Sequence, residues 1–232
     1  MKKKNVAAII SLAFLFGACT PIGNDQADEH RELPYFGDHD VSLSKDSSGV
    51  QVVDTVHFVV PGFVFLNQDS LPISHRDYKG TIYVTDYFFT TCPTICPVMS
   101  SQMARLQTMV DKEGMSSQIK FLSHTVDPEH DTPAILKEYA ERIGANLTNW
   151  NFVTGNKEEL YDQARYGYFM TALESDTAAG GFFHSDNLVL IDRESHIRGY
   201  YDGTSTKEVD QLFEDIKLLI HSYDSPSTDA KQ

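Results

Sequence analysis

The sequence predicts an α/β fold in which a mixed central sheet is flanked by helices. From Val50 onward, β-branched and aromatic runs alternate with segments of helical periodicity. Such alternation is typical of parallel strands that are joined by helices and covered on both faces. Two strand-like runs also lie next to each other near the C-terminus, and these add antiparallel strands to the sheet.

The first half of the domain is predicted from turn residues and side-chain spacing. Strands at residues 56–60 and 63–66 are expected to form a hairpin around a Pro-Gly pair. Residues 81–89, TIYVTDYFF, have the composition of a buried central strand. Four apolar residues then recur at helical spacing: Met99, Met103, Leu106 and Val110. Gly114 ends that helix.

The second half repeats the alternation in the order strand, helix, strand, helix, hairpin, helix. The ranges are 119–126, 132–143, 151–153, 157–165, 187–191 with 196–201, and 206–221. Gly144 ends the first of these helices. The whole order matches a thioredoxin-like fold with an N-terminal hairpin extension.

Charge and cysteine content exclude several classes of protein. The chain has 33 acidic and 19 basic residues, a formal net charge of −14, which argues against a nucleic-acid partner. Its charged content of 22% and aromatic content of 11% are near globular averages, which excludes a disordered chain or a coiled coil. Three cysteines in 232 residues are too few for a disulfide scaffold, so each needs its own explanation.

The N-terminus has the pattern of a bacterial lipoprotein signal. Three lysines precede a mostly apolar run at residues 6–16, and Cys19 follows a Gly-Ala pair. As a helix this run would be about 16 Å long, too short for a hydrocarbon core of roughly 30 Å. We therefore predict removal of residues 1–18, a lipid anchor on Cys19 and a location at the membrane outside the cytoplasm. A secreted protein with an incidental cysteine is the alternative.

Composition also predicts the domain boundaries. Residues 19–49 contain Pro, Gly, Asp and Ser with little periodicity, and are predicted to be a flexible tether. Within this range the more apolar residues 33–38 are a candidate for docking on the domain. Residues 50–222 are predicted to form the thioredoxin-like domain, and residues 223–232 a disordered tail.

Cys92 and Cys96 carry the most specific chemical signal. They lie in FFTTCPTICP, directly after the predicted central strand and in the first turn of the next helix. A helix N-terminus favours thiolate over thiol, so both sulfurs are expected to be improved nucleophiles and ligands. Helical spacing leaves their Cβ atoms about 5–6 Å apart, against roughly 4 Å in a disulfide. A metal ion between the sulfurs fits this separation more easily, and a plain structural disulfide is the alternative.

A metal site with two thiolates needs a third ligand. Thiolates are soft ligands, suited to Cu(I) or Zn(II). His184 is the best placed, because the thioredoxin-like topology brings the segment before the late hairpin against the cysteine turn. His124 and His130 are the next candidates. The other histidines are predicted not to be ligands: His30, His39, His57, His75, His196 and His221.

Two aspartates are candidates for the surroundings of the metal. Asp86 lies six residues before Cys92 on the central strand, where it could tune the protonation of the cysteines or the charge of the site. Alternatively, Asp86 faces solvent or caps a turn at the end of the strand. Asp127, in the sequence VDP, is expected to shape a turn near the site rather than to touch the metal.

Four segments of the chain occur in an order typical of one family. They are TTCPTICP, HTVDPEHDTP, WNF before a glycine, and FFHSDNLVLIDRESHIRGYYDG. Over residues 60–217 the chain resembles the Sco/SenC proteins, which bind copper for cytochrome oxidase assembly. The resemblance implies that Cys92, Cys96 and His184 are copper ligands and that the copper-receiving subunit of cytochrome c oxidase is the partner. Ser185 stands where many members have threonine.

Three function classes follow. The first is a copper metallochaperone that holds the ion with these three residues and releases it by ligand exchange. The second is a thiol–disulfide reductase. Thioredoxin-like reductases usually have two residues between the cysteines and a cis-proline in the opposite loop. Here three residues lie between the cysteines and GGFFHSD has no proline, which argues against a general reductase. Reduction of the oxidase's own copper-binding cysteines is still compatible with the first class. The third is a peroxidase, because peroxiredoxins share the fold. It ranks last, since their motif has a proline upstream of the attacking cysteine and DYFFTTC has none.

Overall fold

The structure, a computed structural model, describes residues 31–224. The strands in that range are β1 (Asp40–Lys45), β2 (Gln51–Val56), β3 (Val64–Asn67), β4 (Pro72–Ser74), β5 (Ile82–Phe88), β6 (Ile119–Thr125), β7 (Trp150–Thr154), β8 (Ala172–Glu174), β9 (Phe182–His184), β10 (Asn187–Ile191) and β11 (Ile197–Asp202). The α-helices are α1 (Cys96–Lys112), α2 (Pro133–Ile143), α3 (Lys157–Asp162) and α4 (Thr206–Asp224). The compact unit that contains these elements begins at Leu33.

Seven of these strands form a mixed central sheet in the order β11-β10-β5-β6-β7-β3-β4. The β5-β6 and β6-β7 pairs are parallel, and the other pairs are antiparallel. Every residue of β5 is buried, as expected of a central strand covered on both faces. The predicted fold class is confirmed, and the predicted strands correspond to β5, β6, β7 and the β10–β11 hairpin.

The helices agree with the prediction, with one change. α2 ends where Gly144 adopts the left-handed conformation, at φ 74°. α1 contacts both α2 and α4. The helix predicted at residues 157–165 is α-helical only to Asp162, and it continues as a single π-helical turn at Gln163–Gly167.

The predicted hairpin at residues 56–60 and 63–66 is wrong. β2 pairs with β1, and β3 pairs with β4 and β7. Between β2 and β3 the chain crosses to the β10–β11 turn, where the Val60 N–H donates to the Ser195 carbonyl oxygen at 2.9 Å. The Pro-Gly pair at 61–62 therefore lies in a connection between two different pairings.

β1 lies inside residues 19–49, the range predicted as a flexible tether, so that prediction is wrong for this part of the range. Every residue of β1 and β2 is exposed. The alternation of Val41 and Leu43 with serines is a strand pattern, but the surrounding Pro, Gly, Asp and Ser residues outweigh it in a prediction from composition. The folded unit therefore begins well before the predicted boundary at residue 50.

Residues 33–38 dock on the domain, as predicted. Leu33 is buried. The Arg198 guanidinium donates to the carbonyl oxygens of Leu33 and Pro34, at 2.6 and 3.1 Å. It also donates to the buried carboxylate of Asp192 at 3.0 Å. One β11 side chain thus fastens the N-terminal segment to the sheet.

Several predictions about the chain ends fall outside the described residues. These are the signal peptide at 1–18, the lipid on Cys19 and the tail beyond residue 224. α4 extends to Asp224, so it includes the first two residues of the range predicted as a disordered tail. Between residues 31 and 224, no helix combines the length and the apolar character needed to cross a membrane.

Arg198→Ala is expected to lower the free energy of unfolding by about 3–5 kcal/mol, because it leaves the Asp192 carboxylate buried without its cation. Urea denaturation measures this change. The control is Arg76→Ala, at an exposed position, with an expected change within about 0.5 kcal/mol. Equal effects of the two substitutions would contradict a fastening role for Arg198.

Candidate metal centre

The turn between β5 and α1 presents the two cysteines. Cys92 lies in a tight turn in which its N–H donates to the Phe89 carbonyl oxygen at 3.2 Å. α1 begins at Cys96, with Pro97 in its first turn, where no backbone donor is needed. The expectation that both cysteines lie in the first helical turn is therefore wrong for Cys92. Cys92 lies instead in the loop between β5 and α1, four residues before the helix begins.

His184 ends β9 and points its ring at the cysteines. Its Nε2 lies 3.0 Å from Cys96 Sγ, and its Nδ1 donates to the Ser185 carbonyl oxygen at 2.9 Å. A carbonyl oxygen only accepts, so Nδ1 carries the proton and Nε2 keeps its lone pair for the sulfurs. The backbone of Ser185 makes this contact, so serine in place of threonine leaves the ring orientation unchanged.

The three predicted ligands converge. The ligand atoms of Cys92, Cys96 and His184 all lie within 4.8 Å of one another. All three residues are buried, and both cysteines are free thiols. Two sulfurs and one imidazole nitrogen at this separation form a soft, three-ligand site.

The two thiols differ in acidity. Burial raises the pKa of Cys96 far above its ordinary value, and the hydrogen bond with Cys92 adds to the effect. For Cys92, burial opposes ionisation, but hydrogen bonds from the Cys96 thiol and the Thr94 N–H outweigh it and lower the pKa. The prediction that both sulfurs favour the thiolate is therefore wrong for Cys96, because desolvation exceeds any benefit from the helix N-terminus. Burial also lowers the pKa of His184, which favours the neutral imidazole.

The β8–β9 hairpin, which carries His184, is seated directly on the cysteine turn. At Gly180, with φ 79°, a Cβ would lie 2.7 Å from Cε2 of Phe89 and 3.3 Å from Cδ of Pro93. A side chain at this position would push the hairpin away from the turn. Phe182 packs on the same Phe89 ring, with 5.1 Å between centroids.

The other two candidate histidines lie outside this group. His124 is fully buried and stacks on Tyr87, with 4.7 Å between centroids, and its Nδ1 is 3.1 Å from the Thr85 hydroxyl. Burial lowers the pKa of His124 to about 3, so it is a neutral core residue. The ring of His130 is half-exposed, and its Nδ1 contacts the Asp131 carboxylate at 2.9 Å.

The two candidate aspartates have different surroundings. Asp86 is buried, which excludes the solvent-facing alternative. Burial raises the pKa of Asp86 to about 7, partly offset by a hydrogen bond from Ser123, and its charge contributes to the raised pKa of Cys96. Asp127 lies in a turn, where its carbonyl oxygen accepts the Asp131 N–H at 2.8 Å.

Asp131 supports the site, and the sequence analysis missed it. Its buried carboxylate accepts the Thr90 N–H at 3.1 Å and the Thr125 hydroxyl at 2.5 Å. It also accepts a hydrogen bond from the Thr90 hydroxyl. These contacts fasten the segment just before Cys92 to the loop after β6. In the sequence, Asp131 lies in HDTP just before a predicted helix. Aspartate is common at helix starts as a capping residue, so this position alone does not indicate a role at the site.

A second group of metal-binding residue types lies at the β10–β11 turn. The ligand atoms of Asp192, Glu194 and His196 lie within 4.8 Å of one another. Asp192 is already paired with Arg198, and Glu194 accepts a hydrogen bond from the Tyr223 hydroxyl. These contacts satisfy both carboxylates within the protein, so we assign no metal to this group.

Fold and site together define a class of protein: a thioredoxin-like domain in which two thiols and an imidazole converge beside the start of a helix. The family model of SCO1/SenC matches residues 54–221. The chain belongs to the SCO1/SenC family.

Individual relatives agree with this assignment. The chain is 28% identical over 169 residues to the SCO1 protein homolog of Bacillus subtilis, an alignment covering 73% of this chain and 86% of that one. A SCO1/SenC family lipoprotein from Bacillus anthracis matches with a TM-score of 0.65 and 31% identity, over 70% of this chain and 95% of that one. Bradyrhizobium japonicum ScoI, solved with copper bound, matches in fold with a TM-score of 0.58 and 20% identity, over 70% and 99%.

In the reduced, metal-free protein at pH 7, iodoacetamide is expected to modify Cys92 at least about tenfold faster than Cys96. The lowered pKa of Cys92 gives it more thiolate, the form that reacts, whereas Cys96 is held neutral and covered. Peptide mass mapping over time measures both rates. In strong denaturant the two rates should converge. Equal modification rates of Cys92 and Cys96 in the folded protein would contradict the difference in acidity between the two thiols.

Proposed function

We propose that this chain binds one copper ion through Cys92, Cys96 and His184 and passes it to another protein. The observation that carries the proposal is the approach of two thiol sulfurs and one imidazole nitrogen to within 4.8 Å. Thiolates are soft ligands that select Cu(I), and imidazole also suits copper. The copper-bound structure of Bradyrhizobium japonicum ScoI supports the same cargo.

The protonation states determine how the ion is taken up. His184 enters as a neutral ring with Nε2 unprotonated, so it gives up no proton. Cys92 ionises most easily, whereas Cys96 loses its proton only as its bond to copper forms. Because binding releases thiol protons, the affinity for copper rises with pH.

The site also suits release of the ion. Cys92 and His184 border a cavity that opens at the surface, so a ligand from another protein has a route to the copper. Three protein ligands leave room for one more, and transfer proceeds by exchanging ligands one at a time. A storage site would instead enclose the ion with a complete set of ligands.

We place this transfer at a membrane, outside the cytoplasm, with the copper-receiving subunit of cytochrome c oxidase as the recipient. The signal pattern before Cys19 supports the location, as does the description of the Bacillus anthracis relative as a lipoprotein. BsSco, which is 28% identical to this chain, is described as a member of a family of cytochrome c oxidase assembly proteins, and this supports the recipient.

A second function at the same residues is thiol–disulfide exchange, favoured by the unequal acidity of the thiols. The Cys92 thiolate attacks a partner disulfide and releases one partner thiolate. Cys96 then displaces the second, which leaves a Cys92–Cys96 disulfide and transfers two electrons to the partner. A partner with two copper-binding cysteines would thereby be reduced before it receives copper. The disulfide switch described for BsSco supports this reading.

His184→Ala and Cys92→Ser are each expected to weaken Cu(I) binding at least about tenfold, because each removes one ligand. Competition with a chromophoric Cu(I) chelator measures the affinity, and X-ray absorption measures the coordination. His75→Ala is the matched control, since His75 is exposed and lies outside the ligand group, and it should bind like the unmodified protein.

Undiminished affinity and an unchanged coordination spectrum in His184→Ala would reject this residue as a ligand. If the unmodified protein binds no copper but reduces a partner disulfide, thiol–disulfide exchange replaces copper transfer as the function.

The mature protein is expected to carry acyl mass on Cys19 and to partition with membranes, whereas Cys19→Ser is expected to lose both properties. Intact-mass measurement and detergent phase separation measure the two properties. The copper affinity should be the same for both proteins. An unmodified Cys19 in the mature protein would contradict the anchor.

A further inference from the structure

The β1–β2 ribbon has no role in the core, yet it exposes several aliphatic side chains. Every residue of both strands is exposed, and the two strands pair only with each other. Val41, Leu43 and Val53 are 62–68% exposed, and Leu43 lies directly opposite Val53. Because these side chains are neighbours, they form one contiguous apolar patch, a feature that marks an interaction surface.

The register of the ribbon separates apolar from acidic residues. Successive residues of a strand point to opposite sides, and paired residues point to the same side. One side, here called the aliphatic face, carries the pairs Val41–Thr55, Leu43–Val53 and Lys45–Gln51. The other side carries the pairs Asp40–Val56, Ser42–Asp54 and Ser44–Val52. In a chain with a net charge of −14, the aliphatic face thus has one lysine and no acidic residue.

Both ends of the ribbon are held in place. At the tip, the Asp46 carboxylate accepts hydrogen bonds from the Ser48 and Val50 N–H groups, both at 2.9 Å. At the base, the ring of His57 stacks on Tyr35 of the docked N-terminal segment, with 3.8 Å between centroids. The aliphatic face is therefore preformed, and binding does not have to order it.

A second copy of the chain is a poor occupant of this face. Burying one valine or leucine side chain covers about 60–120 Å² at the usual energy per unit area, so the six on two ribbons give at most about 700 Å². Specific protein interfaces bury about 1,200 Å² or more. Both copies would also carry a large negative charge.

A lipid bilayer fits the aliphatic face better than another protein does. Protein interfaces are enriched in aromatic residues and arginine and depleted in lysine, whereas this face has aliphatic residues and Lys45. Valine and leucine enter the boundary between headgroups and acyl chains, and lysine favours anionic headgroups. The acidic remainder of the domain opposes this little, because charges beyond a Debye length of about 10 Å are screened.

The chain before the ribbon also keeps it close to a membrane. Cys19, the proposed site of the lipid, is 21 positions before Asp40, a span of at most about 75 Å when fully extended. An anchored chain therefore presents the ribbon to the bilayer at a high effective concentration, which makes even a weak contact effective.

We propose that the aliphatic face of the β1–β2 ribbon lies on the lipid bilayer as a second membrane contact beside the anchor. This inference rests on the membrane location in the proposed function. Val41, Leu43 and Val53 enter the interface, while Asp40 and Asp54 face water. An anchor alone leaves the domain free to rotate, whereas a second contact determines which side of the domain faces the bilayer.

The first experiment places a tryptophan on each side of the ribbon. Val52 and Val53 are neighbours on β2 that point to opposite sides, and the natural Trp150 is buried. The acylated Val52→Trp and Val53→Trp proteins are reconstituted into phosphatidylcholine vesicles with a quarter phosphatidylglycerol and brominated acyl chains. Bromine is expected to quench Val53→Trp at least about threefold more than Val52→Trp. Equal urea midpoints would show that both variants fold alike.

The second experiment measures partition without the lipid anchor. It uses residues 19–232 with Cys19→Ser, which contain the whole compact unit from Leu33. Leu43→Ser is expected to weaken binding to the same vesicles without bromine at least about fivefold, and Val52→Ser less than twofold. Lys45→Gln is expected to weaken binding about fivefold on these vesicles and to have no effect on pure phosphatidylcholine.

Three results would overturn the inference. One is equal quenching of the two tryptophans, or quenching of neither. Another is that Val52→Ser weakens partition as much as Leu43→Ser does. The third is a blue shift of Val53→Trp without vesicles that grows with protein concentration, which would assign the face to a second copy. If the mature protein carries no acyl mass on Cys19, the proposed anchor fails, and partition of the unacylated chain then decides the ribbon contact by itself.

Discussion

The contact between Cys96 Sγ and His184 Nε2 joins residues 88 positions apart, and the site depends on it. The sheet makes this contact possible. β10 runs antiparallel to β5, with Val189 opposite Thr85 and Ile191 opposite Tyr83. The start of β10 therefore lies beside the end of β5, so the residues just before one strand meet those just after the other.

Neighbouring elements hold the cysteine turn from two sides. On one side, the buried carboxylate of Asp131 accepts hydrogen bonds from Thr90, immediately upstream of the turn. On the other side, Gly180 and Phe182 pack against Phe89. Such supports fix the distance between the sulfurs and the ring before any ion arrives, which reduces the reorganisation that binding requires.

The sequence predicts the buried part of this arrangement well. Apart from Asp86, β5 consists of apolar, aromatic and β-branched residues, and His184 could be placed because the topology determines which loops meet. β1 does alternate apolar and polar residues, but the Pro, Gly, Asp and Ser content around it predicts a tether, and the ribbon has no buried face to reveal its role. The opposite pKa shifts of Cys92 and Cys96 also escape prediction, because the dominant cause, desolvation of Cys96, arises from residues distant in sequence.

The fastening of Leu33 by Arg198 sets how far the domain could travel from an anchor. With the proposed lipid on Cys19, Leu33 lies fourteen positions after the anchor, which at about 3.5 Å per residue gives a reach of at most about 50 Å. A tether extending to residue 49 would allow roughly twice that distance. The docked segment thus roughly halves the reach that the proposed anchor allows, so under that proposal the recipient's copper site lies near the bilayer.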